Sequence, residues 1–162
     1  MATPGQGWID PHFGSDGDFA TAEQRLVAIY IFCHKDAAGV LSWDIPAVRA
    51  WTKLPKAKII EAIAHFEEIG KVRFSRCRLW IWWRGGIKYY LHKGNFSPTQ
   101  MQAVVLRLKA WQTAGVFGHG FARRVVDTYQ GLYEITIPYP FGESDSNGSD
   151  PNQLKLELVK DE

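Results

Sequence analysis

Apolar positions along the chain switch between helical and alternating periods, and the switches mark its elements. After Thr21-Ala22-Glu23-Gln24, which has capping-box spacing, Leu26, Ile29, Tyr30 and Cys33 recur at i, i+3, i+4, i+7 and predict a helix with one buried face. Asp36 to Gly39 ends it, and Val40-Leu41-Ser42-Trp43 reads as a small strand. Asp44 caps a brief helix with Pro46 in its first turn, running to about Trp51. Thr52-Lys53-Leu54 is a tight turn, and Pro55 opens a third helix on which Ile59, Ala62, Ile63, Phe66 and Ile69 share a face. Gly70 suits the position just past its C-terminus.

From Lys71 to Arg84 the period falls to two. Val72 and Phe74 alternate with charged and polar residues, and Leu79, Ile81 and Trp83 alternate with Trp80 and Trp82. This predicts a hairpin with its tip at Arg76-Cys77-Arg78. Gly85-Gly86 breaks the second strand, and Ile87 to Leu91 continues extended. Ser97-Pro98-Thr99-Gln100 is a second capping box, ahead of a helix that buries Met101, Val104, Val105 and Leu108. A Gly-rich turn at Gly115 to Gly120 leads to a last short helix marked by Phe121, Val125, Val126 and Tyr129. Tyr133 to Ile137 alternates like a strand.

The ends have a different texture. Residues 1–20 are rich in Gly, Asp and Pro and read as an extended arm pinned by Trp8, Ile9, Phe13 and Phe19. Residues 139–162 read as an acidic flexible tail. Within it, Gln153 to Leu158 alternates and suits either a final strand or a segment that pairs with a partner's sheet edge. The body is then one domain, 21–138.

Helix, small strand, helix, turn, helix, hairpin is the order of a winged helix-turn-helix. The expected fold is α+β: three helices plus a β-hairpin wing, with extra C-terminal helices and the N-terminal arm. Trp80 and Trp82 face away from Leu79, Ile81 and Trp83, so one set needs a cover besides the three helices. The candidates are the arm, the C-terminal helices, a second subunit or stacked bases. The arm together with Tyr133–Ile137 is the favoured one.

Charge sharpens this picture. From Arg49 to Arg124 there are 15 Lys and Arg and three acids, Glu61, Glu67 and Glu68, a net +12. Residues 1–48 carry −4 and residues 125–162 carry −6, which returns the total to +2. A folded middle with that excess sets up a positive field, and its natural counter-surface is polyphosphate, whose neutralisation releases counterions. Duplex DNA is the expected partner, with Pro55–Ile69 as the recognition helix entering the major groove by its N-terminal end. Lys53, Lys56 and Lys58 gather at that end, where the helix adds its own partial positive charge. Arg73, Arg76, Arg78 and Arg84 lie on the hairpin or at its root, and Lys88 follows it. These eight are the expected DNA contacts. The acidic tail is expected to lie over the basic face and compete with DNA.

Several chemistries find no support. The five histidines, His12, His34, His65, His92 and His119, are scattered outside any metal-ligand spacing. Tyr89 and Tyr90 lack the histidine pair that a tyrosine nickase needs, and there is no phosphate-cradling Gly-rich loop followed by Lys. No enzyme activity and no cofactor are expected. Two cysteines, Cys33 on an apolar helix face and Cys77 at the hairpin tip, suit a reducing compartment. No apolar run approaches the ~20 residues a membrane span needs, and the first residues lack the pattern of a secretory signal. The expected location is cytoplasmic.

The stretches Arg25-Leu26-Val27-Ala28-Ile29-Tyr30, Gly39-Val40, Ala62 to Val72 and Trp80-Ile81-Trp82 together resemble the N-terminal winged-helix domain of phage replication-initiation proteins. These are replisome organisers related to the DnaD-type primosome proteins. Gly86-Ile87-Lys88-Tyr89-Tyr90 and Asn95-Phe96-Ser97-Pro98 extend the likeness, which covers about residues 8–130. It implies DNA binding at an origin and recruitment of replication proteins. A transcriptional regulator of the same fold, a phage module that docks on a host protein, and RNA binding through the Trp-rich hairpin are the alternatives. A second subunit is a further candidate partner, with the helix from Pro98 to Gln112 as its surface.

Overall fold

The computed structural model describes residues 19–84, 86, 98–133 and 136–137. The expectations for residues 1–18, for Lys88 and Tyr89-Tyr90, for Ser97 and for the acidic tail fall outside them. The described chain is α+β, with five helices and one antiparallel sheet. In order these are α1 (Ala22–His34), β1 (Val40–Ser42), α2 (Ile45–Thr52), α3 (Lys56–Glu68), β2 (Val72–Phe74), β3 (Trp80–Trp83), α4 (Pro98–Ala114) and α5 (Phe121–Tyr133).

Local signals set the boundaries. Thr21 Oγ1 accepts the Gln24 N–H at 3.1 Å, and Gln24 Oε1 accepts the Thr21 N–H at 3.2 Å, a closed capping box at the start of α1. The Asp44 carboxylate accepts the Ala47 N–H at 3.1 Å and starts α2, with Pro46 in its first turn. Lys53 turns the chain from α2 into α3 with φ 62°, a left-handed conformation uncommon outside Gly and Asn. Gly70, at φ 72°, takes the same conformation after α3, where it costs little.

The sheet runs β1-β3-β2, so β3 is central. Val72 pairs with Trp83 and Phe74 with Ile81; Arg73 and Val40 both oppose Trp82. Period-two alternation then sends Trp83 and Ile81 to one face and Trp82 to the other. The first face is covered by α1, α2 and α3 through Val27, Ile31, Phe32, Val48, Ile59 and Phe66. The second is covered by α4 and α5 through Val104, Leu108, Phe117, Phe121, Val125 and Tyr129.

Four readings of the pattern are corrected. The buried residues of α1 are Val27, Ala28, Tyr30, Ile31 and Phe32, while Leu26 is 36% exposed and Cys33 is exposed. The run from Leu26 to Cys33 is apolar all round, so spacing could not choose a face. The choice fell to a helix packed on α2 and α3 and, through Phe32, on Trp83. Ile69 is 39% exposed because α3 has ended by then. Leu79 is 62% exposed, not inward with Ile81 and Trp83, because Arg78 at φ 57° turns the chain before β3 begins. Tyr133 ends α5, and Thr136 and Ile137 are in no strand, Ile137 being buried against the α4–α5 side, so the described residues of Tyr133–Ile137 do not form the expected strand.

The cover of Trp80 and Trp82 is likewise found in the C-terminal helices. Trp80 meets Trp111 edge-on at 4.8 Å between centroids, and Trp82 meets Phe121 at 5.7 Å. Phe19, from the end of the arm, packs on the opposite face against Trp83 and Phe66. Trp82 is therefore not free to stack on a base.

Candidate nucleic-acid interface

A groove of about 870 Å3 opens between α2, the turn into α3 and the hairpin tip. Trp43, Ile45, Pro46 and Ala50 form its apolar lining, and Arg49, Lys53, Lys56 and Arg78 supply four cations. Each cation arrives by a local device. Arg49 and Lys53 are one helical turn apart, joined by the Lys53 N–H to Arg49 carbonyl bond of 2.9 Å that closes α2. The left-handed turn at Lys53 brings Lys56 round at the start of α3, where Pro55 is the cap residue and provides no side-chain hydrogen bond. The hairpin tip delivers Arg78 from the other side. Asp44 is the one acid in the lining.

Arg78 is held in place before any ligand arrives. Its Nη2 and Nη1 donate to Glu67 Oε2 and Oε1 at 3.1 and 3.3 Å, and its guanidinium sits 3.9 Å from the Phe74 ring centroid. The two side chains are 61% and 41% exposed, so the pair contributes under ~1 kcal/mol to stability. A phosphate can displace Glu67 at small cost while the Phe74 ring keeps the guanidinium oriented. Glu67, an acid of α3, is thus in direct contact with one of the groove's cations.

The other expected contacts go elsewhere. Lys58 lies at a separate small cleft with Thr21, Glu23 and Gln24 of the α1 end and bonds Glu61 at 2.8 Å, which raises its pKa. Arg84 is exposed at the base of the hairpin, its N–H donating to the Lys71 carbonyl at 2.8 Å. Arg73 points to the sheet face opposite α3, since it opposes Trp82. Arg76 turns the same way, its N–H donating to the Val116 carbonyl at 3.2 Å and its guanidinium lying beside Gly118. Arg124 joins them there: burial, with Arg73's charge, lowers its pKa. The seven of the eight expected residues that are described therefore do not form one face.

Two cations escaped the sequence reading. Arg49 carried a signal, its position one turn before Lys53. Arg124 carried none, because it meets Arg73 only through the docking of α5 on the sheet. Among the described residues no three His, Cys, Asp or Glu side chains group to hold a metal ion. Cys77 is exposed and free, and its hydrogen bond with Ser75 lowers the thiol pKa. No helix among the described residues is long and apolar enough to cross a membrane. Comparison with known proteins found no matching family model, curated protein or solved structure.

Proposed function

We propose that this protein binds duplex DNA through a winged helix formed by α1 to β3, with α3 in the major groove and the β2–β3 hairpin as the wing. The observation that carries the reading is the groove, where Arg49 of α2, Lys53 of the turn, Lys56 of α3 and Arg78 of the hairpin line one cavity. Cations from four successive pieces of chain around one concavity suit a phosphate backbone crossing it. The helix order and the β1-β3-β2 sheet support the winged-helix assignment. Within that class, the role proposed is replication initiation or replisome organisation, as the resemblance implies.

Fluorescence anisotropy with a labelled duplex tests the binding. Affinity should fall with salt at a log–log slope of about −0.9 for each phosphate neutralised, roughly −3 to −4 for the groove alone. Arg49→Ala with Lys56→Ala should weaken binding at least about tenfold at low salt and reduce the slope by about 2. A wild-type chain that binds no duplex at low salt rejects the reading.

A further inference from the structure

The cations on the far side of the hairpin form a set of their own. Arg124 is clamped to the α4–α5 turn, donating from Nη1 to the His119 carbonyl at 2.8 Å and from Nη2 to the Phe117 carbonyl at 3.3 Å. Its Nε is buried and has no hydrogen-bond partner. Arg76 lies against the same turn: a Cβ placed on Gly118 would stand 3.2 Å from Arg76 Nη2. Arg73 projects from the same sheet face, close enough for its charge to disfavour that of Arg124. His119 is exposed on the turn itself.

Among the described residues, no carboxylate pairs with this group. The nearest acid along α5, Asp127, pairs with Arg123 at 3.2 Å. Among the described residues, none of Arg73, Arg76 and Arg124 has an ion-pair partner, in contrast to Arg78, which has Glu67. Arg73 and Arg124 are brought together against their repulsion, with Arg76 against the same turn, and an anion would relieve it; the planar donor forks of the three match phosphate oxygens.

We infer that Arg73, Arg76 and Arg124, gathered around the turn between α4 and α5, form a second anion site that takes a phosphate group of a nucleic-acid backbone. Arg124 is the positioning member, fixed by its two carbonyl bonds, while the exposed Arg73 and Arg76 supply the free donors. Arg76 and Arg78 flank Cys77 and turn to opposite sides, so the hairpin tip meets backbone phosphates on both flanks. This source for the phosphate rests on the DNA-binding reading; the anion site itself does not.

The test uses the full chain and Arg73→Ala with Arg76→Ala, which leaves the Arg124 clamp intact. Titration with inorganic pyrophosphate, followed by amide NMR shifts, should give saturable movement confined to residues 117–120, and the double variant should lose it. Shifts that are absent, spread evenly over the molecule, or unchanged in the variant overturn the site. In a duplex titration the double variant should lose about 2 units of log–log salt slope. An unchanged slope, with the pyrophosphate response present, overturns the backbone as the source and leaves free phosphate as the ligand. A wild-type chain that binds pyrophosphate here but no duplex at all rejects the DNA reading and keeps the site.

Discussion

On one face of β3, Trp83 is enclosed by rings: Phe32 and Phe66 edge-on at 5.4 and 5.3 Å, and Phe19 stacked at 6.2 Å. On the other face, Trp82 is tied by hydrogen bonds as well. Its Nε1–H donates to the Tyr129 hydroxyl at 2.9 Å, and that hydroxyl donates to the Ala38 carbonyl at 2.8 Å. Trp111 Nε1–H donates to Asp36 Oδ2 at 2.7 Å, while Asp36 Oδ1 accepts the Ala38 and Val40 N–H groups at 2.9 Å each. Apolar contact is non-directional and tolerates shifts of packing, whereas a buried polar chain is satisfied in only one arrangement. The first face therefore supplies most of the stability of the α1–α3 body. The second sets where α4 and α5 dock, and so where Arg124 meets Arg73.

That contrast can be tested on each face. Trp83→Ala should cost about 3–5 kcal/mol, the range for emptying a buried aromatic site, measured as a lowered urea midpoint. A loss below ~1 kcal/mol would mean that the ring cluster is not the stabilising centre. Lys35 stands where the two regions join, directly after α1 and before Asp36. Burial is the main cause of its pKa falling from 10.5 to about 7, opposed by Asp36. The unfolded chain then binds the extra proton between these values, so stability should rise with pH from 7 towards 10.5, by roughly 2 kcal/mol between pH 7 and 9. Below pH 7 both states are protonated and this dependence ends. Lys35→Met should flatten the rise in a series of denaturant titrations; a curve unchanged by the substitution would refute it.

Smaller changes probe direction more than strength. Tyr129→Phe keeps the ring but strands the Trp82 N–H and the Ala38 carbonyl, at about 1–2 kcal/mol. Hydrogen exchange should then show α5 loosening while α1 and α3 keep their protection; uniform loosening would deny the division of labour. Glu67→Gln should change stability by under ~1 kcal/mol. It should tighten duplex binding by freeing Arg78, while leaving the pyrophosphate response at residues 117–120 untouched. A coupled change at both places would mean that the two cation groups act as one.

Much of this architecture was legible from short spacings. Thr21 with Gln24, Asp44 with Pro46, and Pro55 with the Lys56–Glu68 face each depend on groups within one helical turn. The α1 face was not legible, because Leu26 to Cys33 offers apolar residues in every direction. The candidate groove was half legible: Lys53, Lys56 and Arg78 were visible as cations near turns, whereas Arg49 was missed although its place one turn before Lys53 signalled it. What the charge count could not show was that Lys58 turns to Glu61, or that Arg73 and Arg76 leave the side on which Arg78 lies.

The chain alone determined the order of its elements, their caps and the alternation of the hairpin, because hydrogen bonds within a turn and backbone preferences act over a few residues. Only the tertiary structure decided that α4 and α5 cover Trp82, that Gly39 and Gly86 come so close that a Cβ on Gly86 would stand 2.6 Å from Gly39 Cα, and that the cations divide into two groups. Those outcomes depend on the register across β3 and on where distant helices dock. Both are set by burial and by buried hydrogen bonds between residues far apart in the chain, which no local pattern records.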